Sequence, residues 1–342
     1  GKTVYYYRGA VENNYVKFGP AYKTSCTYNG QAVVFGDMQN NIVLETPTKE
    51  QCLSTNVCSV EGMYIVGSTD EECSMLGGTV INQKAIFKKG KETDIYWRII
   101  RINEDGSLRL IYQGTTADAA RIEATIGESA FNSNNNDNAY VGYMYGEAGA
   151  STYEATHANT NDSTIKTVLD NWYEENLLGY TSYIADSGFC GDRSIYEGKG
   201  TGLGYGKNET YYGFYNRLFN TYQPQYSCPQ NQDLYTTSSS NKGNKALEYP
   251  IGLITLDEVM YAGGTVFNSN ASYYLYTGDN YWGITPVDFD GSSADVGGVV
   301  SVGNLGYYDV FDSWGVRPVI SLKSDAGQLI GDGTISNPYQ LA

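Results

Sequence analysis

Apolar and polar residues alternate most regularly in IYWRIIRINEDGSLRLIY, residues 95–112, on either side of Glu104-Asp105-Gly106. A period of two marks a strand and Asp-Gly marks a tight turn, so the stretch predicts a β-hairpin of 95–101 and 107–112. Alternation places Ile95, Trp97 and Ile99 on one face and Tyr96, Arg98 and Ile100 on the other. Both faces carry apolar groups, which predicts a central hairpin covered on both sides. The period lengthens in DSTIKTVLDNWYEENLL, where Ile165, Val168, Leu169, Trp172 and Leu177 recur at helical spacing. Asp162 or Ser163 supplies a cap, predicting a helix over 163–176. A second helix is announced by the capping box Thr255-Leu256-Asp257-Glu258, followed by Val259, Met260 and the stop Gly263-Gly264. The opening runs TVYYYRG and NNYVKFG read as a hairpin or edge strands.

Between 20 and 92 the texture changes. PTKEQC, STDEEC and KKGKE are polar and turn-dense, and the apolar runs AVVF and MYIVG are too short for a large independent core. The cysteines are Cys26, Cys52, Cys58, Cys73, Cys190 and Cys228, an even count without a CxxC pair, and His157 is the sole imidazole. Structural zinc needs closely paired Cys or His ligands, so this spacing points to disulfides in an oxidising compartment. A local partition makes two bridges inside 26–73 and joins Cys190 to Cys228. The expected organisation is opening strands at 1–19 belonging to the main domain, a Cys-rich inserted module at 20–92, and the main domain at 93–342.

Composition then narrows the function. Across 342 residues, 33 Tyr and 40 Gly favour strands and long loops over bundles, and two helices among many strands make an α+β class. A formal charge of −16, from 22 Lys and Arg against 38 Asp and Glu, leaves no basic stripe for phosphates. Nucleic acid and anionic membrane are excluded as partners on that ground. No run approaches the roughly 18 apolar residues of a membrane span, so this segment is not expected to insert directly. A start at Gly1 rather than Met reads as processing or trimming, which leaves an N-terminal leader or anchor open.

Residues 279–314 mix Tyr, Trp, Phe, Asp, Asn, Ser, Gly and small aliphatics, with no Lys, Arg, Glu, Gln, Met, His or Cys. Rigid aromatics among small hydrogen-bonding residues resemble an antibody paratope, so the segment is expected to form a ligand face displayed from the framework strand GVRPVISL. Tyr281, Phe289, Tyr307, Tyr308 and Phe311 should then cluster on one solvent-facing side. Asp288 and Asp290, with Asp295 nearby, are candidate Ca²⁺ ligands, as is the oxygen-rich loop 134–138, although neither has EF-hand spacing; no other cofactor is implied. Paired carboxylates leave glycoside hydrolysis open, because their separation is spatial. His157 sits in the polar loop YEATHANTND without a nucleophile elbow, so no Ser-His-Asp site is expected. GKGTGLGYGKN neither follows an apolar strand nor opens a helix, and reads as a flexible loop rather than a phosphate cradle.

The pieces YWRIIRINEDGSLRLIY, NDNAYVGYMYG, THANTNDSTIKTVLDNWY, YIADSGFCGDRS, YPIGLITLDEVMYAGG, YYLYTGDNYWGITP, GVRPVISLKSD and GDGTISNPYQL resemble exported proteins of gut-type Firmicutes and related bacteria. They cover most of 95–342 and the opening strands, leaving the segment around 20–92 unmatched. The resemblance implies a C-type lectin-like fold, shared with the formylglycine-generating-enzyme superfamily, with two helices flanking a small twisted antiparallel sheet and long loops. The last part resembles the variable proteins of diversity-generating retroelements, whose rewritten Asn codons yield Tyr, Asp, Ser, Gly, Val, Ala and Phe. Trp282 and Trp314 fall outside that alphabet and are read as framework. Carried over by position, the contacts are Asp279, Asn280, Tyr281, Val287, Asp288, Phe289, Asp290, Asp295, Tyr307, Tyr308, Asp309 and Phe311, while Gly315, Val316, Arg317 and Pro318 match the closing framework strand. The resemblance implies a secreted or surface-anchored binder of a protein or glycan on another cell or host surface. A surface-polysaccharide hydrolase and a pilus or surface-layer subunit are the rival classes.

Overall fold

The hairpin expected from alternation is present, as strands Ile86–Ile102 and Leu108–Gly114 joined through Asn103–Ser107. Gly106 takes φ 81°, and Asp105 Oδ1 accepts hydrogen bonds from the Ser107 amide and hydroxyl at 2.9 and 2.6 Å. That is the side-chain mimicry that makes Asp-Gly a turn signal. The register shifts at two points, between Tyr96 and Trp97 and between Ile99 and Arg101. Ile99 pairs with Leu110 but Arg101 pairs with Arg109, so a bulge at Ile100 turns Arg101 to the face opposite its alternating position. Ile95, Trp97, Arg98, Ile99 and Ile100 are all buried, and Trp97 donates to Phe18 O at 2.8 Å. Both faces are therefore covered.

The computed structural model describes residues 3–36 and 46–342. The chain is mixed α+β and divides into two compact units, 1–20 with 94–342, and 21–93. In the larger unit the hairpin lies between Val319–Leu322 on one side and Tyr15–Tyr28 on the other, with Tyr5–Tyr6 also on Ile86–Ile102. The first expected helix runs Thr164–Asn176, with Ser163 Oγ accepting from Lys166 N. The second runs Leu256–Ala262, with its capping box formed and Gly263 closing it at φ 116°. A second sheet takes the order Ile195–Gly200, Thr210–Tyr212, Tyr281–Phe289, Ala294–Val299, Leu305–Asp309, and Ser313–Gly315 joins it beside Tyr281. Among the described residues no helix is long and apolar enough to cross a membrane.

The smaller unit carries two short helices that its polar texture hid, Lys49–Ser54 and Asp70–Met75. Each opens on a complete capping box, Thr48 with Gln51 and Thr69 with Glu72. Its apolar interior is small, built around Val33, Val57 and Val66 in one cluster and Val60 and Ile65 in another. The bridges sit inside those clusters: Cys26–Cys52 and Cys58–Cys73 close loops of 26 and 15 residues, and Cys190–Cys228 closes one of 38 in the larger unit. The pairing follows the local partition expected from spacing. Each closed loop removes unfolded-chain entropy worth roughly 2–4 kcal/mol. In a Cys58→Ser/Cys73→Ser variant, amide hydrogen exchange should rise across Asn56–Val60 and Thr79–Lys84 while Leu108–Gly114 keeps its protection; equal loss in both places would mean that the bridge supports more than its own unit.

Candidate functional site

Strand register decides which side chains of 279–314 meet. Pairing aligns Tyr211 with Asp288, Asp288 with Asp295 and Asp295 with Asp309. Residues directly opposite one another share a face, and Tyr307, two before Asp309, shares it too. One face of the sheet therefore bears the row Tyr211, Asp288, Asp295, Asp309, with Tyr307 beside it.

Aromatic rings extend that row across the surface. Tyr215 meets Tyr211 at 4.8 Å between ring centres, and Phe219 meets Tyr215 and Tyr307 at 5.5 Å each. Phe219 also reaches Phe267 at 5.8 Å, and Phe267 approaches Tyr222 at 6.5 Å. Tyr215 and Phe219 come from one π-helical segment, Tyr215–Asn220. Lys199 lies with Nζ 3.9 Å from the Tyr211 ring centre and donates to Tyr215 Oη at 3.1 Å. The run starts at the buried Tyr211 and opens to solvent at its far end: Phe267 is 64% exposed, Tyr222 54% and Tyr307 38%.

The two central carboxyls behave as a unit. Asp288 and Asp295 sit directly opposite each other across the strand pair, so ionising both places two like charges side by side. Burial, then the Asp295 charge, pushes Asp288 up to about 8, and burial pushes Asp295 up to about 6. Asp309 accepts from Asn135 Nδ2 at 2.6 Å and from the Phe311 amide at 2.9 Å.

The twelve expected contacts separate into several environments. Asp295, Asp309 and Tyr307 lie together on the face just described, and Asp288 joins them although only 3% exposed. Tyr308 points the other way onto Trp314 at 4.4 Å, and Phe311 is exposed in the following turn. Asp290 folds back onto Ser292 and Ser293, Asp279 pairs with Arg121 at 3.0 Å, and Asn280 accepts from Ser301 N at 2.7 Å. Tyr281, Val287 and Phe289 are fully buried, which corrects the expectation that five rings gather on one solvent-facing side. The physical reason is strand position. Tyr281–Phe289 is an interior strand with every residue buried, whereas Leu305–Asp309 is an edge. Trp282 and Trp314 stack at 4.7 Å as framework, and Arg317 is buried, donating to Tyr112 O and Leu275 O.

Lys199, Tyr211, Tyr215, Phe219, Tyr222 and Phe267 were not expected in the site. Part of the signal was there: Tyr211, Tyr215, Phe219 and Tyr222 recur at spacings of four, four and three, a helical stripe. The glycine run expected to be a flexible loop is instead strand Ile195–Gly200 followed by turns pinned through Gly204 N to Thr210 Oγ1 and Asn138 Nδ2 to Gly206 O. His157 is buried, bonds Gly204 O at 2.8 Å, and is held well below its ordinary pKa by burial and then by Arg193. In the 134–138 loop, Asn138 and Asp137 are spent on internal hydrogen bonds. Among the described residues no cluster of three or more His, Cys, Asp or Glu is placed to hold a metal ion.

Raised carboxyl pKa values mean that the folded chain binds more protons than the unfolded chain, whose Asp side chains titrate near about 4. The pair's contribution is thus full below about pH 4 and is lost as pH rises toward about 8. Asp288→Asn removes one of the two like charges. It should flatten the fall in melting temperature between pH 5 and 8 and leave the variant more stable than the parent at pH 8; parallel curves would mean that the two carboxyls do not repel each other. No family model, curated protein or solved structure matches the chain.

Proposed function

We propose that this is an extracellular ligand-binding protein, whose contact surface is the face carrying Tyr307, Phe219, Phe267 and Tyr222 beside the Asp288–Asp295–Asp309 row. The observation that carries this reading is the run of rings from Tyr211 to Tyr222, open to solvent at Phe267 and Tyr222 and flanked by the exposed Tyr307, on a chain of net charge −16. A contiguous exposed aromatic surface on so charged a chain is accounted for by a partner. The ligand is a glycan or a protein surface on another cell: rings stack on apolar faces, and the carboxyl row accepts hydrogen bonds from hydroxyl or amide donors. The acid row disfavours polyanions. Three disulfides support the extracellular placement.

A C-type lectin-like scaffold is the finer fold in this reading. It is supported by the two helices, the twisted sheets and the pairing of opening and closing segments, where Tyr15 N donates to Gly333 O and Lys17 N to Tyr339 O at 2.9 and 2.7 Å. Retroelement diversification, if it acts on the gene, would fall on the exposed positions Tyr307, Tyr308 and Phe311, and sister copies should differ there while keeping Tyr281 and Phe289.

The test is a screen of the whole chain against immobilised glycans and cell-surface proteins, followed by titration of the best binder. Tyr307→Ala with Phe267→Ala should leave the melting temperature nearly unchanged and weaken binding by roughly 2 kcal/mol or more. Tyr281→Ala, a core truncation, should instead cost roughly 3–5 kcal/mol of stability. Undiminished binding by the double variant would remove this face from the function.

A further inference from the structure

The opposite end of the electrostatic scale lies beneath the central hairpin. Arg101 and Arg109 are cross-strand partners, brought to one face by the bulge at Ile100. Like charges directly opposite are destabilising, and only Glu258 lies between them, 3.1 Å from Arg101 Nε and 2.6 Å from Arg109 Nε. Both contacts fall outside hydrogen-bond angles, so Glu258 Oε1 supplies charge without saturating the donors. Its other oxygen is committed to Thr255 N at 2.9 Å. Arg109, 1% exposed, places Nη1 on Gly188 O at 3.0 Å, and among the described residues no protein acceptor takes its Nη2 or the terminal nitrogens of Arg101.

Two guanidiniums against one carboxylate leave a local excess of positive charge at one place on the wall of a cavity of about 510 Å³, although that wall as a whole carries six acidic side chains against four basic ones. That volume lies in the range of small-molecule sites, roughly 300–1,000 Å³. Of the other acids on the wall, Asp192 and Asp257 are engaged by Arg217 at 2.5 and 3.1 Å, Asp186 by Thr237 at 2.9 Å and Asp105 by Ser107 at 2.6 Å, while Glu104 is exposed. We propose that this cavity is a second ligand site, separate from the aromatic face, and that it takes a small hydroxylated monocarboxylate whose carboxylate seats on Arg101, with the buried Arg109 adding charge from behind. Guanidinium forks match a planar carboxylate with two parallel hydrogen bonds. The acidic wall selects a monoanion with hydroxyl donors over a compact dianion. Burial, reinforced by Arg101, already lowers Arg109 to about 10 despite Glu258, and a bound carboxylate relieves that repulsion.

Glucuronate is the probe, with glucose as its neutral counterpart and inorganic phosphate as a dianion control, each titrated calorimetrically into the whole chain. Glucuronate should bind saturably, glucose should show no binding at the same concentrations, and phosphate should bind at least about tenfold more weakly. Arg101→Gln, which also lowers the melting temperature by stranding charge on Glu258, should weaken glucuronate at least about tenfold at a temperature where it is folded, and Asn241→Trp, at an exposed position on the wall, should weaken it as much by filling the space with little change in melting temperature. Tyr307→Ala should leave glucuronate binding intact, which separates this site from the aromatic face. Absence of saturable glucuronate binding, equal binding of glucose, phosphate as tight as glucuronate, or full affinity in Asn241→Trp would each overturn the proposal. If Arg101→Gln does not fold, the parent titrations and Asn241→Trp decide it.

Discussion

Glu258 is the side chain on which the larger unit's arrangement turns. Its Oε2 accepts from Thr255 and so completes the cap of Leu256–Ala262, while its Oε1 lies against the two hairpin arginines. The helix it caps is tied in turn to the second sheet, through Leu256 N to Thr285 Oγ1 at 3.0 Å and Ile284 N to Ile254 O at 2.9 Å. Hairpin and helix therefore share one carboxylate, and the sheet is bonded to the backbone beside it. Burial by itself would raise Glu258, but Arg109 and Arg101 hold it below its ordinary value, so it stays ionised where neutralisation would be costly. Removing one partner from such a buried group strands the other charges, at a cost of about 3–5 kcal/mol.

The same connections place two opposite electrostatic environments close in sequence. Thr285 lines the arginine cavity, and Asp288, three residues on, lies in the carboxyl row. The Tyr215–Asn220 segment does likewise: Tyr215 and Phe219 join the aromatic run, while Arg217 between them binds Asp192 and Asp257 at the cavity wall. The two arginines beside Glu258 are thus a local positive spot on a cavity wall that, like the chain, carries more acids than bases.

Local signals carried much of the architecture. The hairpin, both longer helices and the three bridges are set by alternation, helical period, caps and cysteine spacing, all within about twenty to forty residues of chain. The helices of the smaller unit were marked just as plainly, since T-x-x-Q at Thr48 and T-x-x-E at Thr69 repeat the pattern at Thr255. The density of charge and cysteine around them masked it. What no local pattern contains is strand order. Tyr281 and Tyr307 belong to the same alphabet of residues, and one is fully buried while the other is 38% exposed, because one strand is interior and the other an edge.

Strand order also explains why the carboxyl row could not be foreseen from Asp288, Asp290 and Asp295 as a loop-like acidic cluster. Asp290 lies in the turn and bonds Ser292 and Ser293, whereas Asp288 and Asp295 meet only because the hairpin closes in that register. A slip of one residue would send either carboxyl to the opposite face. Five of the row's flanking groups, Lys199, Tyr211, Tyr215, Phe219 and Phe267, come from outside 279–314, so the face is assembled by long-range pairing rather than displayed on one loop. Side chains fixed on paired strands and a packed helical turn have little further freedom to lose, and under the proposed function that preorganisation, more than area, would be the source of affinity for a shallow aromatic surface.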